Sequence, residues 1–83
     1  VPGSVTVRYW AGAKRAAGVD SESLTAATVG ELRRVLAERP ELAKIAEVAS
    51  FLVDGRQAEE HAMLQDGAEV DVLPPFAGGA ARR

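Results

Sequence analysis

Asp66-Gly67-Ala68-Glu69-Val70-Asp71-Val72-Leu73-Pro74-Pro75-Phe76-Ala77-Gly78-Gly79 is the stretch that decides the fold of this chain. Asp-Gly is a turn signal. After it, Val70 and Val72 alternate with Asp71 and Leu73, the period of a strand whose two faces meet different surroundings. Pro74-Pro75 removes two backbone donors and ends the ladder. The remaining four residues close on a pair without side chains. The reading is a final strand that hands over to an extended tail.

Upstream, Ser50 to Val53 forms a short apolar strand, and Asp54-Gly55 marks a hairpin. Phe51 and Val53 are expected to face inward, and Leu52 outward. Arg56 to Met63 is polar and poorly patterned, with Leu64 just before the Asp66-Gly67 turn. The main helix is announced by Thr28-Val29-Gly30-Glu31, a capping box in which the Thr28 hydroxyl accepts from the Glu31 amide and the Glu31 carboxylate reaches back to the Thr28 amide. Leu32, Val35 and Leu36 share one face at helical spacing. Pro40 stops the helix. Glu41 to Val48 adds a short helical stretch with Leu42, Ile45 and Val48 as its buried side.

At the start of the chain, Val5, Val7 and Tyr9 alternate with Thr6, Arg8 and Trp10, which predicts a strand over Ser4 to Trp10. Ala11 to Gly18 reads as a loop with one helical turn. Val19 to Thr25 reads as a second strand that pairs with the first as a hairpin. The order strand, strand, helix, strand, short strand, strand predicts an α+β roll, with a mixed sheet of four to five strands and one main helix on one face. No internal repeat or interdomain linker interrupts it. The organisation is a single domain over residues 1–79 with its tail from about 74, followed by an extension over 80–83.

Composition narrows the function. A domain of 83 residues exposes ~40% of its unfolded surface, so a docking surface is easier to build than a deep private active site. A formal charge of −2 argues against general nucleic-acid binding, which needs a basic face to displace counterions. The absence of cysteine excludes disulfides, thiolate nucleophiles and cysteine-bound metals, so any sulfur chemistry uses sulfur brought from elsewhere. No apolar run approaches the ~20 residues of a membrane span, and no signal-like segment opens the chain. A cytoplasmic setting fits these features. The chain begins at Val1, and Val1-Pro2-Gly3-Ser4 reads in part as a cloning remnant. His61 stands alone in a polar stretch, and no metal set or nucleophile–base constellation is present, so an independent enzyme is a poor reading.

Thr28-Val29-Gly30-Glu31-Leu32, Phe51-Leu52-Val53-Asp54-Gly55-Arg56 and the stretch from Asp66 to Gly79 together resemble the MoaD/ThiS sulfur carriers, β-grasp relatives of ubiquitin. The likeness covers about Val5 to Gly79. Tyr9-Trp10, Lys14-Arg15 and the double proline lean toward the MoaD branch, the small subunit of molybdopterin synthase. The resemblance implies a β-grasp fold and a protein cosubstrate with no bound cofactor. An E1-like adenylating partner would use ATP to activate the Gly79 carboxylate, a sulfur donor would convert it to a thiocarboxylate, and a larger sulfur-accepting synthase subunit would receive the tail. Molybdopterin biosynthesis is the preferred pathway. Cysteine, thiamin, tRNA or specialised-metabolite thiolation, and a ubiquitin-like modifier conjugated through Gly79, are the alternatives.

The physical logic supports such a tail. A carboxylate reacts once its oxygen becomes a good leaving group, and the activated end must then enter a water-poor site. Gly78 and Gly79 thread a narrow channel because they lack Cβ atoms. Five residues beyond Pro74 span at most ~17–18 Å. The expected partner contacts are Gly78, Ala77, Phe76, Pro75, Leu73, Leu52 and Arg56. Leu52 and Leu73 fit a docking patch or ordinary core packing about equally. Trp10 is expected to be a packing residue, with a place at an interface as the lesser alternative. Lys14, Arg15, Arg33 and Arg34 are expected on solvated faces. Glu59, Glu60, Glu69 and Asp71 are expected to be unburied solubility and docking charge.

The C-terminal end departs from the family. Gly79 is followed by Ala80-Ala81-Arg82-Arg83, whereas the chemistry requires a free glycine carboxylate. The favoured explanation is a precursor trimmed by a metal-dependent peptidase. A cloning remnant and a relative that lost the carrier activity are the others. Removing Arg82 and Arg83 takes the formal charge from −2 to −4, an acidic body suited to a basic activating enzyme.

Overall fold

Val5, Val7 and Tyr9 are buried at alternate positions of the first strand, β1 (Ser4–Tyr9). The computed structural model describes residues 3–75. After β1 come α1 (Ala11–Ala17), β2 (Ser21–Thr25), α2 (Val29–Ala37), α3 (Ala43–Val48), β3 (Ser50–Val53), β4 (Arg56–Gln57) and β5 (Glu69–Leu73). The five strands form one sheet in the order β2-β1-β5-β3-β4. β1 and β5 run parallel, with Val7 opposite Val70 and Tyr9 opposite Val72. The other pairings are antiparallel, including the expected β1–β2 hairpin. The sheet is therefore mixed, and the fold is the expected α+β β-grasp, with helices packed on it.

The inner face carries Val5, Val7, Val70, Val72 and Phe51, all essentially inaccessible, against Leu32, Leu36 and Leu42 from the helical layer. A cluster of this kind is the main source of stability, at ~1.5–3 kcal/mol for each large side chain taken from water. The Asp54-Gly55 turn has φ of 50° and 85° at its two central residues. Both angles are positive, as a type I′ hairpin turn requires, and this hand matches the twist of β3 and β4.

Four expectations give way to the structure. Where a loop with one turn is expected over Ala11–Gly18, Ala11–Ala17 is a helix of seven residues; it closes on Gly18 in the left-handed conformation, whose N–H donates to Lys14 O at 3.0 Å. Ala13 on its inner side is fully buried, so packing rather than an apolar stripe of large residues holds α1. The capping box is displaced on one side: the Glu31 amide donates to Thr28 Oγ1 at 3.1 Å as expected, but Glu31 Oε1 accepts from the Ala27 amide at 2.6 Å, not from Thr28. On α3, Val48 is exposed and Ala46 takes the buried position with Leu42, because a six-residue helix closes before its expected apolar face completes another turn.

The fourth correction concerns Arg33, which is not solvated. Its side chain is 25% exposed. The guanidinium donates to Ala46 O at 2.6 Å and Ala49 O at 3.1 Å, pairs with Glu60 at 2.6 Å, and stacks 4.7 Å above the Phe51 ring. It thereby satisfies carbonyls at the end of α3 that have no helical partner.

The polar segment after β4 has its own explanation. The first amides of α2 need acceptors, and this segment provides them: Ala62 O accepts from Val29 N at 3.1 Å and Glu60 O from Gly30 N at 2.7 Å. Leu64 N donates back to Ala27 O at 2.8 Å. A stretch without periodicity is fixed by backbone bonds to the helix start.

Candidate functional site at the root of the tail

The sheet's outer face is built by register. Leu52 lies opposite Asp71, and Arg8 lies beside Asp71 on the other flank. Leu73, two residues beyond Asp71, shares that face. Continuing the β1–β5 register by one step sets Trp10 beside Leu73, and the Trp10 amide donates to Val72 O at 3.3 Å. Leu52 and Leu73 are both half-buried, while Trp10 is 46% exposed. Three apolar side chains thus surround one ion pair where the chain leaves the sheet. Pro74 is buried and Pro75 exposed.

The ion pair has good geometry. Arg8 Nε approaches Asp71 Oδ1 at 2.7 Å and Nη2 approaches Oδ2 at 3.2 Å, a two-point contact of the strong planar kind. The Arg8 hydrogen bond holds the Asp71 carboxyl below its ordinary range, against the opposing effect of burial, and Trp10 adds to it. Asp71 is 8% exposed as a residue, which corrects the expectation that none of the acidic residues is buried. The pairing explains why a carboxylate tolerates that position. Arg8 also lies 5.8 Å from the centroid of the Trp10 ring, within cation–π range. Trp10 is therefore fixed by its neighbours without being packed away, contrary to its expected role. The residue after it, Ala11, has φ of 49°, a left-handed geometry that costs a Cβ-bearing residue ~1–2 kcal/mol. This turn sends the chain from β1 into α1.

Among the expected contacts the structure sets Leu52 and Leu73 on one face, and Pro75 is exposed two residues past Leu73. Arg56 stands apart: it pairs with Val53, so it shares the helix-side face at the sheet edge, away from Leu52 and Leu73. Phe76, Ala77, Gly78 and Gly79 lie outside the described residues, as do positions 80–83.

A second polar cluster was not foreseen from the sequence. Tyr9 Oη donates to Glu22 Oε2, and Arg39 contacts the same carboxylate through Nη1 and, at 2.8 Å, through Nη2. The Arg39 hydrogen bond keeps Glu22 below the usual carboxylate range, while burial pushes the Tyr9 phenol up. The only sequence signal was Tyr9 facing the same side as Val5 and Val7, which requires a buried partner for its hydroxyl. Among the described residues no group of His, Asp and Glu is placed to hold a metal, His61 is exposed beside Glu59, and no helix is long and apolar enough to cross a membrane.

Residues 7–79 match the ThiS family. Among solved structures, a protein described as molybdopterin converting factor subunit 1 from Pyrococcus furiosus is 30% identical, with a TM-score of 0.76 over 88% of this chain and 98% of that one. A chain in the complex of subunits 1 and 2 of the molybdopterin-converting factor from Helicobacter pylori is 25% identical, with a TM-score of 0.70 over 87% of this chain and 93% of that one. Small archaeal modifier protein 1 from Methanosarcina acetivorans shares the fold, with a TM-score of 0.80 at 21% identity over 95% of this chain and 99% of that one. No curated protein sequence matches significantly. With a match over nearly its whole length, and a β-grasp sheet that delivers its last strand to a double proline and a Gly-Gly pair, the chain belongs to the ThiS family, the ThiS/MoaD group of β-grasp sulfur carriers.

Proposed function

We propose that this protein carries sulfur as a thiocarboxylate on Gly79, after hydrolysis of the Gly79–Ala80 bond by a metal-dependent peptidase, and that it serves molybdopterin biosynthesis as a non-catalytic small subunit. The observation that carries the reading is the family match running through to Gly79. The β5 strand supports it by leading into that segment from a face of half-exposed apolar groups.

The chemistry balances with partners of known class. The Gly79 carboxylate attacks the α-phosphorus of ATP on an adenylating enzyme, forming the acyl-adenylate and releasing pyrophosphate. A persulfide sulfur donor then attacks the acyl carbon and displaces AMP. A thiol cleaves the resulting S–S bond, is itself oxidised to a disulfide, and leaves the thiocarboxylate on Gly79. The larger synthase subunit accepts this sulfur and returns the carboxylate. The described residues contribute docking: Pro74 and Pro75 end the β5 ladder at the root of the tail, and a glycine terminus lets the acyl carbon pass into a site that excludes water. The molybdopterin assignment draws support from the Pyrococcus and Helicobacter relatives, both named for that pathway.

Intact mass spectrometry of the protein recovered from its own cells tests this. The expected species ends at Gly79 and is heavier than the free acid by the difference between sulfur and oxygen. A population that always retains residues 80–83 with no thiocarboxylate would overturn the reading. Gly79 found in amide linkage to lysines would replace it with a modifier function.

A further inference from the structure

β2 is one edge of the sheet, and the strand at the other edge, β4, has only two residues. Tyr9 N donates to Asp20 O, and the pairing then runs without a bulge from Arg8 opposite Ser21 to Ser4 opposite Thr25. In an antiparallel ladder the backbone groups of successive residues point to opposite sides. Glu22 and Leu24 therefore turn theirs toward β1, and Ser21, Ser23 and Thr25 turn theirs outward. Among the described residues these outward amides and carbonyls have no backbone partner.

Natural edge strands are guarded by a lysine, a proline, a bulge or a charge set to repel a neighbour. Ser21-Glu22-Ser23-Leu24-Thr25 has no lysine and no proline. Its one charge, Glu22, is turned to the inner face, where Tyr9 Oη and Arg39 hold it. Leu24, on that same face, packs half-buried against the core. The outer face of the strand carries only the hydroxyl side chains of Ser21, Ser23 and Thr25.

We propose that β2 is the dimerisation edge of this protein: a second copy of the chain pairs antiparallel with it about a two-fold axis at Ser23. Ser23 then faces Ser23 of the second copy, Ser21 faces Thr25, and every outward amide and carbonyl of both strands finds a partner. Charge selects this occupant. In this register no carboxylate lies opposite another, because each Glu22 faces a Leu24 and keeps its carboxylate on Arg39. Small side chains on the outer face let the backbones approach, and cross-strand serine and threonine pairs are favourable. The arrangement is also closed: the axis uses both β2 edges and leaves only the two-residue β4 edges outside. The two-fold reverses strand direction, so the two β5 strands point their C-terminal ends opposite ways. Each tail root stays uncovered.

Sedimentation equilibrium of the full chain tests this. The seam is short, so the expected result is a weak reversible dimer, with a Kd of roughly 0.1 mM. Ser23→Glu and Ser23→Lys each place like charges on the axis, and each should weaken the dimer about 10-fold. An equimolar mixture of the two should restore it as a heterodimer. Ser23→Pro removes an N–H that points away from β1, so it should weaken the dimer roughly 30-fold while the monomer keeps its melting temperature. The mass of a monomer at every concentration up to about ten times that Kd overturns the pairing. A dimer that the Ser23 variants leave unchanged, or that mixing the Glu and Lys variants fails to restore, overturns its placement on β2.

Discussion

Successive residues of β1 belong to two different polar clusters. Tyr9 points inward to Glu22 and Arg39, while Arg8 points outward to Asp71. Each cluster contains one arginine, one carboxylate and one aromatic ring. The inner cluster ties the end of α2 to the β1–β2 hairpin and sits at the border of a closed apolar core. The outer cluster ties β1 to β5 and is ringed by Trp10, Leu73 and Leu52, which remain partly in water. The same chemistry thus serves two ends: on one face it finishes the packing, and on the other it ties β1 to β5 while leaving apolar area uncovered. Exposed apolar area held by a fixed framework is the mark of a docking face.

The inner face should yield the largest effect. Phe51→Ala empties it and removes the ring beneath Arg33, so a loss of about 3–5 kcal/mol is expected, read as a lower urea midpoint. A loss under ~1 kcal/mol would mean that the two faces are not energetically distinct. Next, Arg39→Met leaves Glu22 and the Tyr9 hydroxyl without their partner. Because the Arg39 side chain is 36% exposed, solvent screening limits the expected loss to about 1–2 kcal/mol, and Glu22→Gln in the same background should recover part of it.

Acid titration separates the two ion pairs. Glu22 and Asp71 both have folded-state pKa values below their unfolded ones. Their stabilisation is therefore complete above about pH 4.5 and is lost as pH falls through the folded values. Tyr9 has the opposite sign: its raised pKa means that stability falls as pH rises above about 10. Melting temperatures between pH 2 and 11 should form a plateau with both shoulders. Asp71→Asn should move the acid shoulder while leaving the alkaline one in place, and Tyr9→Phe should remove the alkaline one.

The smallest expected effects distinguish the outer face. Trp10→Ala should change stability by less than about 1 kcal/mol in urea titrations, since about half of its surface is already in water. Ala11→Gly relieves the left-handed strain at φ of 49° and is expected to be neutral or to stabilise by up to ~1 kcal/mol in thermal melts, the relieved strain outweighing the entropy glycine returns to the unfolded chain. A clear loss would show that the Ala11 methyl packs in a way that offsets its strain.

Much of this arrangement was legible in the chain. The alternation of Val70 and Val72, the Asp54-Gly55 turn and the Thr28 cap are local signals, each set by one or two dihedral angles or by a period, so they survive without knowledge of neighbours. The α1 helix is not legible in the sequence because it has no amphipathic stripe of large residues; its inner side is the small, fully buried Ala13. The Arg33 staple is not legible there either, because its acceptors lie 13 and 16 positions away. For the candidate site, the pairing of Leu52 with Leu73 on one face followed from strand parity. The separation of Arg56 from them followed only from the register of β3 with β4.

By itself, the sequence determined the strand periods, the turns, the helix start, the lack of any thiol and the side-chain-free ending at Gly78-Gly79, because these depend on residue type and short spacing. The tertiary structure decided what the charged and aromatic residues do. Arg8 meets Asp71 across 63 positions, and Trp10 stays half exposed because the parallel pairing of β1 with β5 carries it past the last paired residue of β1. Such long-range neighbours, Arg8 with Asp71 among them, are fixed by strand order and register, and no local pattern encodes them.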